Sequence, residues 1–470
     1  MINLQNLTIE KAHDAFLKGD FTVRELVDEY LKNIKEKNSD INAYIEIFND
    51  IDSQVARAEE MFKNGSATLM TGIPISIKDN MLVEGKIASA GSKILGDYVA
   101  TYTSFAIKKL IDQGVVILGR TNMDEFAMGS STQTSAYGIT KNPLDTTRVP
   151  GGSSGGAAAS VSMDGALIAI GSETCGSVRQ PAAFNGLVGF KPTYGSVSRS
   201  GLIAMGNSLD QICPLAKNVG DAKIVHDALS GIDPLDATTV PLSKRVAKER
   251  SKKMKIAVPS DVLEGKGIDK EVHDAFLKTF DVWKKMGYEI VPYEFKFISY
   301  ALPVYYVVMP AEVSTNLERF DGIRYGYRSE ADNLFDFYSK SRGLGFGKEA
   351  RRRILLGTYV LSNNGVHYRR AIQVRAEITK EIDALFEQVD FYITPTAPTL
   401  PFKIGENMND PLAMYYSDVF SAPANLSGCP AIAVPTGLTP EGLPTSIQIT
   451  APRWADDELF SLAQIFEKEL

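Results

Sequence analysis

The sequence predicts an α/β protein, a mostly parallel sheet with helices on its faces. Segments of strand character alternate with segments of helical periodicity up to about residue 215, the order that gives a layered α/β architecture. The composition agrees: 44% of the 470 residues are hydrophobic and 23% charged, enough apolar material for a large core beneath an ordinary polar surface. The length suits one large domain or two or three smaller ones.

In chain order, Thr8 is placed to cap a first helix carrying Ala12, Phe16 and Leu17. Thr22 and Glu25 have capping-box spacing before Leu26, Tyr30 and Ile34. Residues 52–64 form a further amphipathic helix ending at Asn64-Gly65. Residues 72–78 (GIPISIK) form a short strand ending in Lys78. A helix over 104–114 leads into a strand over 115–119. Ala157 to Ile170, small and apolar, reads as a close-packed helix and then a buried strand. Beyond 216 come a helix over 219–230 and a basic run over 243–255 that includes Lys248 and Arg250. That run is a solvated linker or, failing that, a contact for RNA or an acidic partner. Strands at 255–259, 288–292, 390–394, 431–435 and 445–451 follow, with a helix at 270–286, a helix-rich stretch over 300–385 and a closing helix over 456–469.

Several function classes are excluded. A net charge of −7 argues against whole-molecule binding to nucleic acid, while leaving room for a local contact. Cys175, Cys213 and Cys429 form no CxxC pair, and their sparse, odd number fits a reducing compartment. The first residues, with Glu10 and Asp14, do not read as a targeting peptide, so a cytoplasmic location is expected. No apolar run reaches the ~18 residues of a membrane span. There is no phosphate loop, no GxGxxG opening a helix, and no metal-ligand cluster.

Two Gly/Ser-rich turns remain, 150–156 (PGGSSGG) and 171–181 (GSETCGSVRQP). Glycine lets backbone N–H groups approach a substrate closely, and adjacent N–H groups can hold an oxyanion. Gly151 to Gly155 matches GxSxG, which in a hydrolase calls for a histidine base. His13, His226 and His273 each precede Asp-Ala in helical patterns, where an exposed structural role is expected, and His367 also lies in a helical stretch. Lysine can replace histidine when burial lowers its pKa. Lys78, Ser153 and Ser177 supply one such base and two hydroxyls; for Lys78 the alternative is a salt-bridged surface lysine. Asn122 to Ser135 (NMDEFAMGSSTQTS) reads as another wall of the site.

GIPISIKDN, PGGSSGG and GSETCGSVRQPAAFNGLVGFKPTYGSVSR together resemble the core of the amidase signature family, and the spacing of Ser153 and Ser177 fits it. NMDEFAMGSSTQTSAYG, GLIAMGNSLDQICPLAKN, ERFDGIRYG and RRRILLGTYVLS narrow the resemblance to the family's ammonia-supplying subunits of tRNA-dependent amidotransferases. The resemblance spans nearly the whole chain. It implies a single domain over 1–470 around a mixed, mostly parallel sheet covered by helices on both faces. N-terminal helices fall in 1–65, a signature core in 66–215 and a helical insertion in 295–385.

It also implies a Ser–cisSer–Lys triad: Ser177 as nucleophile, Ser153 as bridging cis-serine, Lys78 as base. The N–H groups of Thr174, Cys175, Gly176 and Ser177 would hold the oxyanion. Arg353 would bind the α-carboxylate of glutamine and Asp418 its α-ammonium, with Tyr305 or Tyr306 assisting and Gly129 and Ser130 lining the pocket. Ammonia would pass to partner subunits B and C, where ATP and Mg²⁺ serve amidation of misacylated Glu-tRNA(Gln) or Asp-tRNA(Asn); this chain itself would need no cofactor. The family usually carries two glycines before the nucleophile, where this chain has Cys175-Gly176. A positive φ at Cys175 would cost roughly 1–2 kcal/mol, and an exposed thiol there would be open to oxidation or alkylation. Two alternatives follow: a free-standing small-amide amidase, and a scaffold impaired by Cys175.

Overall fold

The expected strands join a single sheet. The structure, a computed structural model, describes residues 2–245, 252–407 and 410–470; Lys248 and Arg250 of the basic run lie outside the described residues. Eleven strands are present among these: β1 (Tyr44–Ile47), β2 (Pro74–Lys78), β3 (Val116–Thr121), β4 (Ile168–Glu173), β5 (Val188–Lys191), β6 (Gln211–Ala216), β7 (Lys255–Pro259), β8 (Glu289–Tyr293), β9 (Phe391–Pro395), β10 (Ala431–Leu438) and β11 (Pro444–Thr450). Their order is β1-β3-β2-β4-β6-β5-β10-β11-β9-β7-β8.

The sheet is mixed and packed between helices. Parallel pairing forms two blocks, β3-β2-β4 and β9-β7-β8. The other ladders are antiparallel and outnumber the parallel ones. β1, β5 and β6 have no counterpart among the individually expected strands. β1 and β5 are only four residues long, and β6 is broken by Pro214.

Local sequence explains the helix ends. Thr8 caps Ile9–Lys18 by accepting the N–H of Lys11. The Thr22–Glu25 capping box forms in full at the start of Val23–Ile41. The small residues of 155–162 let that helix sit directly on the sheet, with seven of its eight residues buried.

The stretch 300–385 supplies the helices Ala301–Asn316, Leu334–Gly345, Lys348–Leu361 and Val366–Phe386. Their apolar faces (Val304, Val308, Ala350, Ile378, Ile382) share a core with Phe126, Met128 and Cys175 of the loops above the sheet. The helices are thereby packed against the Gly/Ser-rich turns. Among the described residues no helix is long and apolar enough to cross a membrane.

Ala301–Asn316 and Lys348–Leu361 cross at Gly357, where a Cβ would stand 1.8 Å from the carbonyl oxygen of Pro310. Gly357→Ala must therefore separate two helices, at an expected cost of about 1–3 kcal/mol. In the control Gly343→Ala the new methyl meets nothing within 4 Å, so helix propensity leaves it neutral to stabilising. Denaturant unfolding of both variants checks the contrast.

Candidate active site

Lys78 ends β2, in the middle of the first parallel block, and its side chain is fully buried. The ammonium nitrogen lies 2.7 Å from Ser153 Oγ, 2.8 Å from Ser154 Oγ and 2.9 Å from the carbonyl oxygen of Ser172. Among the described residues it has no ion pair, so the alternative of a salt-bridged surface lysine is set aside. Burial pushes its pKa down to about 7, against the opposing pull first of Asp124 and then of Cys213, Asp210 and Glu173. Near neutral pH a large share of Lys78 is an uncharged amine, able to take a proton from either serine it touches.

The two turns meet beside Lys78. Ser153 follows a cis peptide bond from Gly152. Ser154 donates its backbone N–H to the carbonyl of Ser177 at 3.1 Å, joining the turns directly. Sequence reasoning misses Ser154 as a site residue; its only signal there is its place after Ser153. Its hydroxyl donates to the Ser172 carbonyl at 3.0 Å.

Ser177 lies in the turn after β4 and is 6% exposed. Among the described residues its hydroxyl makes no hydrogen bond, and the N–H groups of Thr174, Cys175, Gly176 and Ser177 have no acceptor within the protein. Buried N–H groups rarely go unpaired. Four in succession beside a serine hydroxyl form a ready site for a developing oxyanion.

Cys175 departs from expectation in two ways. The left-handed residue of the turn is Gly176, with φ +80°, so Cys175 carries no such strain. A Cβ at Gly176 would lie 2.4 Å from Ser421 Oγ. The Cys175 thiol is buried, packs toward the Asp418 carbonyl and Ser421, and burial pushes its pKa well up. It is neither exposed nor a reactive thiolate.

The ends of this turn are clamped. The Glu173 carboxylate accepts the N–H groups of Val178 (3.3 Å) and Arg179 (3.4 Å) and pairs with the Arg179 guanidinium at 2.6 Å. Arg179 also donates to the Ser421 carbonyl and to Asn425. Both partners are fully buried. Burial alone would raise the Glu173 pKa, but Arg179 holds it below the usual range.

A second group of side chains faces the turn. The Thr174 and Tyr305 hydroxyls are 2.6 Å apart. Asp418 Oδ2 accepts from Tyr306 (3.2 Å) and Ser130 (3.3 Å), while Oδ1 is buried without a partner. That oxygen lies 3.4 Å from where a Cβ on Gly176 would stand. Burial pushes the Asp418 pKa up to about 7; a cation bound at Oδ1 would bring it back down. Arg353 is buried, donates to Glu349 at 2.6 Å, and lies 5.4 Å from the ring centres of both Tyr306 and Tyr415. Those rings stack with centres 3.6 Å apart.

Gly129 contributes no side chain; a Cβ there would strike Asp124. The structure thus gathers Arg353, Asp418, Tyr305, Tyr306 and Ser130 around Thr174–Ser177, with both tyrosines engaged. Glu349 and Tyr415, which hold Arg353, carry no sequence signal, since only the fold brings them together. No histidine takes part. His226, expected to be exposed, is instead buried among Phe190 and Phe460.

This geometry can be set beside known proteins. The model of the family described as Amidase matches residues 25–460. The chain belongs to the amidase family. A relative from Caldanaerobacter subterraneus subsp. tengcongensis, named as the A-type polypeptide of glutamyl-tRNA(Gln) amidotransferase, is 44% identical, over 99% of this chain and 97% of that protein. The protein of that name from Prochlorococcus marinus is 45% identical, over 95% and 94%. The crystal structure of the same amidotransferase polypeptide from Thermotoga maritima superposes with a TM-score of 0.81 at 37% identity, over 100% of this chain and 96% of that one. In this amidase the Glu173–Arg179 clamp is expected to be essential to folding. Glu173→Gln leaves a buried guanidinium without its counter-charge and should cost roughly 3–5 kcal/mol. Denaturant unfolding measures it; an unchanged midpoint would mean that the pair does not hold the turn.

Proposed function

We propose that this amidase is the glutamine-hydrolysing subunit of a tRNA-dependent amidotransferase. The observation that carries the reading is the pairing of an unpartnered Asp418 oxygen with the buried Arg353 guanidinium beside the Ser177 turn. An amino acid presents one charge of each sign, and a simple amide has no use for both. Similarity to the named amidotransferase polypeptides supports the same substrate class.

In this reading neutral Lys78 takes the proton of Ser153, and Ser153 takes that of Ser177 as Ser177 Oγ attacks the side-chain amide carbon of glutamine. The N–H groups of residues 174–177 hold the oxyanion. Collapse breaks the C–N bond, and the proton held at Lys78 returns through Ser153 to the leaving nitrogen as ammonia departs. Water, deprotonated along the same path, then resolves the γ-glutamyl ester. Asp418 holds the α-ammonium, assisted by Ser130 and Tyr306, and Arg353 the α-carboxylate. Tyr305 fixes Thr174. Positioning and oxyanion stabilisation supply most of the acceleration.

The ammonia serves partner subunits B and C in the cytoplasm, where ATP and Mg²⁺ support amidation of Glu-tRNA(Gln), Asp-tRNA(Asn) or both. In the assembled complex, ammonia release from glutamine should rise with ATP and charged tRNA and vanish in Ser177→Ala. Asp418→Asn should raise KM for glutamine about tenfold or more, the worth of a charge-assisted hydrogen bond. Release that survives Ser177→Ala, or an unchanged KM in Asp418→Asn, would contradict the reading.

A further inference from the structure

Asp124 is the one fully buried carboxylate near Lys78 that the proposed mechanism leaves unused. It lies just beyond the C-terminal end of β3. Its Oδ2 accepts the N–H groups of Ser131 (3.2 Å) and Thr132 (2.8 Å). Its Oδ1 accepts those of Gln133 (3.1 Å) and Thr134 (3.3 Å) and the Thr134 hydroxyl (2.9 Å). Four successive backbone N–H groups and one hydroxyl converge on this carboxylate, and no cation pairs with it among the described residues. Such a ring of donors suits an anion and fixes the loop that carries Ser130.

The same residue grips the cis-serine turn. Its own N–H donates to the Ser153 carbonyl at 3.2 Å. A Cβ on Gly152 would lie 2.2 Å from Asp124 Oδ2, and one on Gly129 2.4 Å from its Cγ. Two glycines, one from each turn, are thus wrapped around one carboxylate. Gln180 makes a parallel tie, donating to the Ser130 carbonyl at 3.1 Å and accepting the Gly152 N–H at 2.9 Å.

We infer that Asp124 is a positioning residue that couples the amino-acid-binding loop at Ser130 to the Lys78–Ser153 pair. The inference rests on the reading of Lys78 as the base. It has a geometric half, the shared grip on both turns, and an electrostatic half. The acidic groups around Lys78 are Asp124 after β3, Glu173 at the end of β4, Asp210 before β6 and Cys213 within it. Glu173 is committed to Arg179. Burial pushes Asp210 up to about 7 and keeps the Cys213 thiol protonated. Asp124 is therefore the anion that most favours the charged form of Lys78, and it keeps the base from becoming too weak to hold a proton during turnover.

The sign follows. Asp124→Asn removes an anion, so the ammonium form of Lys78 is disfavoured and its pKa falls. The neutral base then persists to lower pH, and the acid limb of the kcat/KM profile for glutamine should move down by about 1 pH unit. KM should also rise, by about tenfold, because an amide cannot accept from all five donors. A merely structural role would loosen the site and admit water, leaving the limb in place or moving it upward. Thr134→Val removes one donor and keeps the charge. It should raise KM about threefold with the limb unmoved, and it tests the loop half even where the Asn variant fails to fold.

The assay is glutamine-dependent ammonia release by the full chain with its partner subunits across pH. An unmoved or raised limb in folded Asp124→Asn, or an unchanged KM in Thr134→Val, would overturn the inference. Lys78→Met with undiminished activity would instead overturn the reading of Lys78 on which it rests.

Discussion

A lysine buried without a counter-ion shapes this molecule. Placing Lys78 at the end of a central strand costs the hydration of its ammonium, and no carboxylate at hydrogen-bond distance restores it. Three oxygen atoms replace the water, two from the PGGSSGG turn and one from the backbone of β4. Oxygen acceptors at this spacing serve an ammonium and a neutral amine alike. The low pKa is therefore a product of the fold, and so is the proton path toward Ser177. The parallel β3-β2-β4 block sets the spacing, because β2 carries the lysine and β4 leads directly into the nucleophile turn.

The oxyanion turn depends on a second buried electrostatic device. Four N–H groups left without acceptors would readily collapse onto a nearby carbonyl. Glu173 before the turn and Arg179 after it prevent this by holding both ends, and Arg179 extends the hold to the segment bearing Asp418. Nucleophile and ammonium-binding carboxylate are thereby kept in one frame. Gly176 provides the reversal and Cys175 only fills space beside it. This explains why a cysteine is accommodated there without strain, and it removes the ground for an impaired scaffold.

Much of this is legible in the chain. Lys78 stands out as a lysine ending an apolar run, and the two Gly/Ser turns stand out by composition. Helix caps at Thr8 and Thr22 are readable because capping depends on residues three apart. Arg353, Asp418 and the tyrosines come from family resemblance alone, since no local pattern marks a residue whose partners are far away in sequence. Glu349, Tyr415 and Asp124 escape notice for the same reason. The antiparallel ladders around β5, β6, β10 and β11 escape it too, because strand direction depends on how the chain crosses the sheet and not on the periodicity of any one segment. His226 precedes Asp-Ala in a pattern shared with two other histidines, yet it is buried where the closing helix packs over it.

The central claim is that Lys78 is a neutral amine near physiological pH. Its direct test is an NMR titration of lysine side chains labelled at Cε and Nζ, with the Lys78 signal assigned by its loss in Lys78→Met. The account predicts a midpoint of about 7, well below that of the exposed lysines. A Lys78 signal that stays in its charged form up to pH ~10, the ordinary range for lysine, would contradict it.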